Sequence, residues 1–425
     1  MRLFILTSAF LVSHLALADI VATNLYSSLI PSKVLATAKK VNGQFPQYTD
    51  SSAGVWKLFS ADKWTSGFFP VTLYALEKRK TLCGATSANG LNAADWVSLG
   101  RKTSAGLAAL TKTNNVGHDV GFLSFPFVHE LAIDPNNATA ANIVNGFANY
   151  LAGRFNPTVG CTRSWRSSNP TGFVVIIDNM MNLNVLMVSA KLTGNSTLRD
   201  IATSHANTTM KNHIRHDGIY SIPPQRVPLQ IKEQAKDTPT IGKNLLFSLS
   251  TSHQLAAAHG AEDKLGRCMG SQTVGVGSLS SDDLPKPMVS VYNWTEDNSY
   301  LVTARRAATY FLKTLPSDGI VPWDFNAPVA NHPADSSAAT IVATGLLLLS
   351  QVETDTANKK KWSDAAIKIL NDITSLAWDP SWESLLANGT VNKPGKNYLT
   401  GTVYGDYYYI VAGNELIDMG LAKCP

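Results

Sequence analysis

The 425-residue chain is poor in cysteine and in charge, and both features narrow what it can be. Its four cysteines, Cys83, Cys161, Cys268 and Cys424, have spacings that match no zinc pattern, so we expect no structural metal. Charged residues make up 16% of the chain, the formal net charge is +5, and the positive residues form no basic runs. This pattern is not that of a nucleic-acid-binding protein, although a mild positive charge suits an acidic sugar.

One long apolar run lies at the N-terminus, and a second, residues 340–349, is expected to be a buried core helix. Arg2 precedes a mostly apolar run, residues 3–17, and a small-residue cleavage sequence ends at Ala18. We therefore predict that residues 1–18 are a secretory signal peptide. No later segment has the ~18 consecutive apolar residues that a membrane-spanning helix needs, so we expect no membrane association.

Two further features agree with an extracellular, oxidising compartment. N-glycosylation is expected at five Asn-x-Ser/Thr sequons: Asn137, Asn195, Asn207, Asn293 and Asn388. One or two disulfides are expected as well, but four cysteines permit three complete pairings and the sequence does not choose among them. We therefore expect a secreted glycoprotein.

Motifs that bind cofactors are missing too. The chain has no glycine-rich phosphate-binding loop and no sequence cluster of metal-ligating residues. We therefore expect neither a cofactor nor a metal in the site. The oligomeric state is left open.

Helical periodicity dominates the chain, and strand-like alternation is sparse. Apolar residues recur at helical spacing in ten segments: 34–41, 67–77, 94–112, 140–155, 179–192, 196–213, 297–315, 336–352, 362–376 and 406–421. About ten helices with irregular connections predict an all-α ring of stacked helical hairpins. Such a ring can use residues 19–425 in a single domain.

One segment, residues 219–290, departs from this pattern. The Pro223-Pro224 pair interrupts any helix there, and residues 275–281 are rich in serine and glycine. A long stretch without regular structure is unusual inside a compact domain.

Two aspartates are the strongest candidates for chemistry. Asp178 lies between an apolar run, residues 173–177, and an amphipathic helix, and Asp119 lies in the loop-like stretch 117–122. Two carboxyl groups close together in apolar surroundings would have raised pKa values and could deliver a proton to a substrate. From these residues alone, the structural interpretation is the favoured one: Asp178 as a helix N-cap and Asp119 as a turn former.

Seven short motifs follow one another in an order that resembles a known enzyme family. They are the sequences at 64–68 (Trp-Thr-Ser-Gly-Phe), 118–122 (His-Asp-Val-Gly-Phe), 178–183 (Asp-Asn-Met-Met-Asn-Leu), 204–218, 318–325, 335–339 (Asp-Ser-Ser-Ala-Ala) and 404–408 (Tyr-Gly-Asp-Tyr-Tyr). Over about residues 51–215 and 291–420 the chain resembles the unsaturated glucuronyl hydrolases, family 88 of the glycoside hydrolases.

This resemblance implies an (α/α)6 barrel and a particular substrate. The substrate is an oligosaccharide that carries a 4,5-unsaturated uronic acid at its non-reducing end, as polysaccharide lyases produce. In this family an aspartate protonates C4 of the unsaturated sugar and activates water for attack at C5. The hemiketal that results then opens and releases the rest of the sugar.

The resemblance also implies roles for five residues. Asp178 matches the acid/base and Asp119 the second essential aspartate, while Trp64 and Trp165 match aromatic residues that line the sugar site. His118 is expected to be a hydrogen-bonding residue of the site wall. Without the resemblance, the two tryptophans would more often be core residues and His118 a satisfied structural histidine.

Beyond residue 218 the chain departs from the family. Two blocks that supply a histidine, a tryptophan and an arginine to the substrate carboxylate and sugar are absent from residues 219–290. Either this segment has diverged or the gene has been misread there. We therefore expect an incomplete barrel around 219–290 and weak or absent activity. The alternatives are an unsaturated rhamnogalacturonyl hydrolase or a non-catalytic relative.

Overall fold

The computed structural model describes residues 21–84, 90–113, 116–166, 172–214, 285–325 and 333–424. The predicted signal peptide, residues 1–18, and residues 219–284 of the anomalous segment lie outside these ranges. Among the described helices, none combines the length and apolar character needed to cross a membrane.

The described part of the chain forms twelve α-helices, most of them within one or two turns of where periodicity places them. They are α1 (Leu29–Lys40), α2 (Phe68–Cys83), α3 (Trp96–Ser104), α4 (Val120–Ile133), α5 (Ala138–Ala152), α6 (Leu183–Thr193), α7 (Ser196–His213), α8 (Pro285–Thr295), α9 (Asn298–Thr314), α10 (Ser336–Val352), α11 (Thr356–Ala377) and α12 (Val403–Asp418).

Six of these helices contact one another in a cycle. The order is α2, α4, α6, α8, α10, α12 and back to α2, and each of the first five is followed in sequence by a helix that packs beside it. The helices of the cycle are inner helices: α10 buries nearly its whole circumference, whereas α9 buries one face through Tyr300, Ala304 and Phe311. This arrangement is an (α/α)6 barrel and confirms the predicted fold class.

Periodicity missed the inner helix α4. Its residues are apolar on all sides and include Pro126, so no amphipathic stripe marks it, and the stretch 117–122 looked like a loop. In the structure the helix begins at Val120 and its buried Glu130 is paired with Arg101, Nη2 to Oε1 2.6 Å. An inner helix surrounded by other helices has no need of a polar face.

The expectation that helical structure fades over residues 219–290 is wrong at the C-terminal end of this segment. Helix α8 begins at Pro285, so residues 285–290 are helical and contribute to the cycle of inner helices. Pro285 and Pro287 stand in the first turn, where backbone N–H groups have no intrahelical acceptor and proline is tolerated. The expected gap in the barrel itself falls on residues outside the described ranges and stays a prediction.

Short antiparallel hairpins connect some of the helices. The strands are β1 (Phe45–Thr49) with β2 (Trp56–Phe59), β3 (Phe155–Asn156) with β4 (Cys161–Thr162), and β5 (Gly389–Asn392) with β6 (Asn397–Thr400). Among the described residues these three hairpins are the regular strand pairs, in line with the sparse alternation in the sequence. The β3–β4 hairpin leads directly into Trp165.

One disulfide selects among the pairings that the sequence left open. Cys83, the last residue of α2, is bonded to Cys424 near the C-terminus. Cys161 is a buried free thiol, and Cys268 lies outside the described ranges. The bond therefore ties the end of an inner helix to the end of the chain.

Candidate active site

The family-like motifs gather at the starts of inner helices. Trp64 stands just before α2, Asp119 before α4, Asp178 before α6 and Asp335 before α10, and Tyr404 lies in the first turn of α12. Each of the first five inner helices is followed by an outer helix that packs beside it, so successive inner helices start at the same end of the barrel. Residues separated by up to 340 positions in sequence therefore meet at one end of the barrel.

A close backbone contact joins α4 to the segment that carries Asp178. That segment is a 3-10 helix, Ile177–Asn182, which runs into α6. A Cβ atom on Gly121 would lie 2.5 Å from the Cα atom of Asn182, so only glycine permits this approach. The backbone N–H of Phe122 donates to Asn182 Oδ1 at 3.3 Å. The contact brings Asp178 beside the start of α4.

The two aspartates and one histidine form a compact group, which we call the carboxylate–histidine cluster: His118, Asp119 and Asp178. His118 Nε2 lies 3.2 Å from Asp178 Oδ1 and 3.5 Å from Asp119 Oδ1. His118 and Asp119 are buried, whereas 16% of the Asp178 side chain is exposed. Asp178 is therefore the member that can reach a ligand from solvent.

The other ring nitrogen of His118 fixes its protonation. Nδ1 lies 3.0 Å from the carbonyl oxygen of Ser164, which can only accept, so Nδ1 carries a proton. Burial opposes a charged ring, but the carboxylates of Asp119 and Asp178 outweigh it and raise the pKa of His118 to about 9. At neutral pH the ring is therefore an imidazolium that donates from both nitrogens.

The purely structural interpretations of the aspartates do not describe their side chains. Asp178 is not an N-cap, because that position of its 3-10 helix belongs to Ile176. Asp119 does occupy the N-cap position of α4, but its side chain makes no capping hydrogen bond. Both carboxylates are directed instead to His118.

The two tryptophans lie in different surroundings. The Trp165 ring stands 5.9 Å from the His118 ring, nearly perpendicular to it, and is half-buried. Trp64, also half-buried, packs on Phe122 and Tyr404 with ring centroids 5.5 and 5.2 Å apart. Trp165 therefore borders the cluster, and Trp64 belongs to an aromatic layer at the starts of α2, α4 and α12. Their contact with sugar stays a prediction.

Sequence reasoning missed the residues that hold the cluster in place. Asn179 Nδ2 donates to Thr162 Oγ1 at 2.7 Å and orients the segment that carries Asp178. Arg154 Nη2 donates to the Ser164 carbonyl at 2.7 Å, the same oxygen that His118 uses. Asn179 lies within the 178–183 motif, so a supporting role for it could have been predicted. No motif in the sequence includes Arg154.

The cluster has one further chemical capacity. Within the described residues, His118, Asp119 and Asp178 each offer a ligand atom, and these atoms lie within 4.8 Å of one another, a spacing that one metal ion could span. Such binding would require His118 to lose the Nε2 proton that it holds as an imidazolium.

Comparison with known proteins adds the family. No protein-family model matches the chain. The chain is 30% identical over 385 residues to the unsaturated glucuronyl hydrolase of Formosa agariphila. The alignment covers 87% of this chain and 83% of that protein. The fold resembles the crystal structure of an unsaturated glucuronyl hydrolase specific for heparin, with a TM-score of 0.73, 23% identity, and coverage of 95% of this chain and 98% of that one.

A second similar structure is that of a Streptococcus agalactiae unsaturated glucuronyl hydrolase mutant in complex with dGlcA-GalNAc6S. Its TM-score is 0.68 at 17% identity, covering 94% of this chain and 93% of that one. Both solved structures are too distant in sequence to show more than the fold.

The barrel and the cluster at its motif-bearing end define a glycosidase of the six-hairpin class. The identity over most of both sequences decides the rest: the chain belongs to the unsaturated glucuronyl hydrolase family, family 88 of the glycoside hydrolases. The resemblance carried by the seven motifs is thereby confirmed, and the protein is an unsaturated glucuronyl hydrolase-like glycosidase.

The Gly121–Asn182 contact can be tested by adding one methyl group. Gly121→Ala places a Cβ where Asn182 stands, so the 3-10 helix must move and the melting temperature should fall by several degrees. Gly106→Ala is the matched control, because its Cβ would meet only Phe45 at 3.9 Å. Thermal denaturation followed by circular dichroism measures both, and equal melting temperatures would show that the contact is unimportant.

The charge on His118 predicts a pH dependence of stability. Its pKa is raised from 6.5 to about 9, so the stabilisation is fully present below pH 6.5 and is lost as the pH rises towards 9. The melting temperature of the natural protein should therefore fall towards that of His118→Gln across this window. Burial also raises the pKa of Asp406 to about 7. The titration of Asp406 changes the stability of the natural protein and of His118→Gln equally, so it cancels in the comparison. Parallel curves from pH 6 to 9.5 would contradict a charged His118.

Proposed function

We propose that the protein is a secreted hydrolase that removes a 4,5-unsaturated uronic acid from the non-reducing end of lyase-generated oligosaccharides. The observation that carries the proposal is the partly exposed Asp178 beside the charged, buried His118, Nε2 to Oδ1 3.2 Å. A carboxyl group held by a proton-donating neighbour at the mouth of a buried cluster suits general acid–base chemistry.

The reaction adds water across the double bond of the uronic acid. The proton that His118 holds on Nε2 passes to Asp178 and from there to C4. Asp178 then takes a proton from the water that attacks C5 and returns it to His118, so both groups end as they began. The hemiketal at C5 opens to a ketone, the hemiacetal left at C1 collapses to an aldehyde, and the linked sugar leaves as an alcohol. No covalent bond between enzyme and sugar is needed.

The neighbours of Asp178 have supporting roles. His118 donates from Nε2 to Asp178 and holds its carboxyl group in place, while the Ser164 carbonyl fixes the ring from the other side. Asp119, buried 3.5 Å from His118, keeps the ring charged. Trp165 borders the same space and offers an aromatic face for the sugar.

The barrel end suits an anionic sugar. Inner helices present their N-termini there, and unpaired N–H groups at helix N-termini favour negative charge. The chain also carries a formal net charge of +5, which attracts acidic oligosaccharides. Both features support a uronic acid as the ligand, in agreement with the dGlcA-GalNAc6S complex of a distant relative.

Secretion is part of the proposal. The disulfide between Cys83 and Cys424 supports an oxidising compartment, because such bonds persist mainly outside the cytosol. Asn137 and Asn195, two of the sequon residues, cap α5 and α7 through their side-chain oxygens. This capping role needs no glycan, so glycosylation at these two positions stays a prediction.

Asp178→Asn tests the acid/base role. The substitution keeps the size of the side chain but removes the transferable proton, so turnover of an unsaturated disaccharide should fall by ~10² or more. The melting temperature should change little, because Asp178 is partly exposed and caps no helix.

Asp200→Asn, at an exposed position of α7, is the matched control and should keep full turnover. An Asp178→Asn protein that retained activity, or lost it only in step with unfolding, would remove Asp178 from the mechanism.

Substrate choice tests the hydration chemistry. Lyase-generated oligosaccharides should lose the ultraviolet absorbance of their conjugated enol ether, whereas saturated glucuronides should not react because they have no double bond to protonate. The assay follows absorbance for the first and reducing-end release for both. Comparable cleavage of a saturated glucuronide would point to an acid and a nucleophile acting as in ordinary glycosidases.

Chelation separates proton sharing from metal binding at the cluster. Because His118 holds a proton on the nitrogen that would bind a metal, dialysis against EDTA should leave turnover within about twofold of its starting value. A loss of activity that Zn²⁺ or Mn²⁺ restores would show that the cluster works as a metal site.

Two alternatives are kept apart by the same assays. Activity on unsaturated pectin fragments in preference to unsaturated glucuronides would favour a rhamnogalacturonyl hydrolase. The absence of turnover on both, in a folded protein, would favour the non-catalytic alternative raised by the missing blocks in residues 219–290. Sequencing the genomic DNA across this segment would show whether those blocks are encoded.

A further inference from the structure

A cationic cavity lies next to the carboxylate–histidine cluster. It has a volume of about 290 Å³, and its lining includes Arg154, Arg163 and Arg166 together with Phe173. No carboxylate is among the described residues that line it. Three guanidinium groups gathered around one space repel each other unless an anion lies between them.

Two of the three arginines have donors to spare. Arg154 donates from Nε to the carbonyl oxygen of Arg163 at 2.8 Å and from Nη2 to that of Ser164 at 2.7 Å. These bonds hold its guanidinium group in place at the edge of the cavity. Arg163 stacks on the Phe173 ring, 4.6 Å from its centroid, and Arg166 is exposed. Within the described ranges, neither Arg163 nor Arg166 forms an ion pair. A planar guanidinium with free N–H groups is the usual partner of an oxyanion.

The cavity and the cluster share one backbone segment, residues 163–166. The Ser164 carbonyl oxygen accepts hydrogen bonds from Arg154 and from His118. This one oxygen atom therefore links the cavity to the cluster. Arg166 directly follows Trp165, whose ring borders the His118 ring. The charge of Arg154 reaches His118, where it acts to lower the ring's pKa. The cavity therefore adjoins the cluster through Ser164 and Trp165.

We propose that this cavity is an oxyanion-binding site for a sulfate or carboxylate that the substrate carries beyond its unsaturated uronic acid. The proposal rests on the proposed function for its substrate. The protein would then prefer acidic or sulfated oligosaccharides to neutral ones, because one end reacts at Asp178 while a second negative charge is held by Arg163 and Arg166.

The first test needs no turnover. Inorganic sulfate is titrated by calorimetry into the natural protein, into an Arg163→Gln/Arg166→Gln double variant, and into Arg199→Gln as an exposed control on α7. The natural protein and the control should bind sulfate saturably. The double variant should bind at least about tenfold more weakly, which is the effect of losing one charge-assisted hydrogen bond. Absent or equal binding in all three would overturn the site.

The second test identifies the source of the anion. Two unsaturated disaccharides that differ by one sulfate on the second sugar are compared by their kcat/KM values. The ratio of sulfated to unsulfated should fall about tenfold in the double variant and stay unchanged in Arg199→Gln. If the double variant binds sulfate more weakly but keeps the same kcat/KM ratio, the cavity does not bind the sulfate of the substrate. The proposal would then be overturned, because the cavity would bind only free anions. Sulfate binding without turnover of either disaccharide would instead reject the proposed function and keep the cavity.

Discussion

The approach of Gly121 to Asn182 is the contact on which the site depends. An inner helix and a neighbouring 3-10 helix touch there at a distance that excludes even a Cβ atom. Asp178 stands four residues before Asn182, and His118 stands three residues before Gly121, so their separation follows from this one contact. A similar closeness joins Gly67 to the carbonyl of Phe122, which fixes the Trp64 segment against the same helix. Small residues at helix starts thus set the spacing of the larger functional groups.

Burying charged groups in such a contact has a cost that the cluster must offset. His118 and Asp119 are almost fully buried, and an isolated buried charge is unfavourable by several kcal/mol. The imidazolium between two carboxylates offsets this through close opposite charges, and its second N–H is satisfied by Ser164. Removing His118 would leave the buried carboxylate of Asp119 without its partner. The cluster is therefore expected to persist as a unit, which is also the condition for a proton to be held at one place.

Local motifs allowed much of the site to be predicted, but not the parts that depend on tertiary packing. His118, Asp119 and Asp178 could be named because each lies inside a short motif, and the structure brings all three together. Helix α4 could not be found by periodicity, because it has no polar face to reveal a period. Arg154 could not be found either, since its role depends on a carbonyl ten residues away that folds against it. The pairing of Cys83 with Cys424 likewise depends on a separation of 341 residues.

The departure in residues 219–290 bears on substrate binding more than on proton transfer. The contacts described above between His118, Asp119, Asp178, Ser164 and Asn182 all lie within residues 118–182, which the segment does not include. The family blocks absent there would have supplied a histidine, a tryptophan and an arginine to the sugar and its carboxylate. Their absence removes contacts that the resemblance assigns to the bound substrate and leaves Asp178, the proposed acid/base, where it was. A defect of that kind raises KM before it lowers kcat, because an interaction made equally in substrate and transition state contributes to binding alone. Cations elsewhere at the same barrel end then become the groups that decide how well an acidic sugar is held.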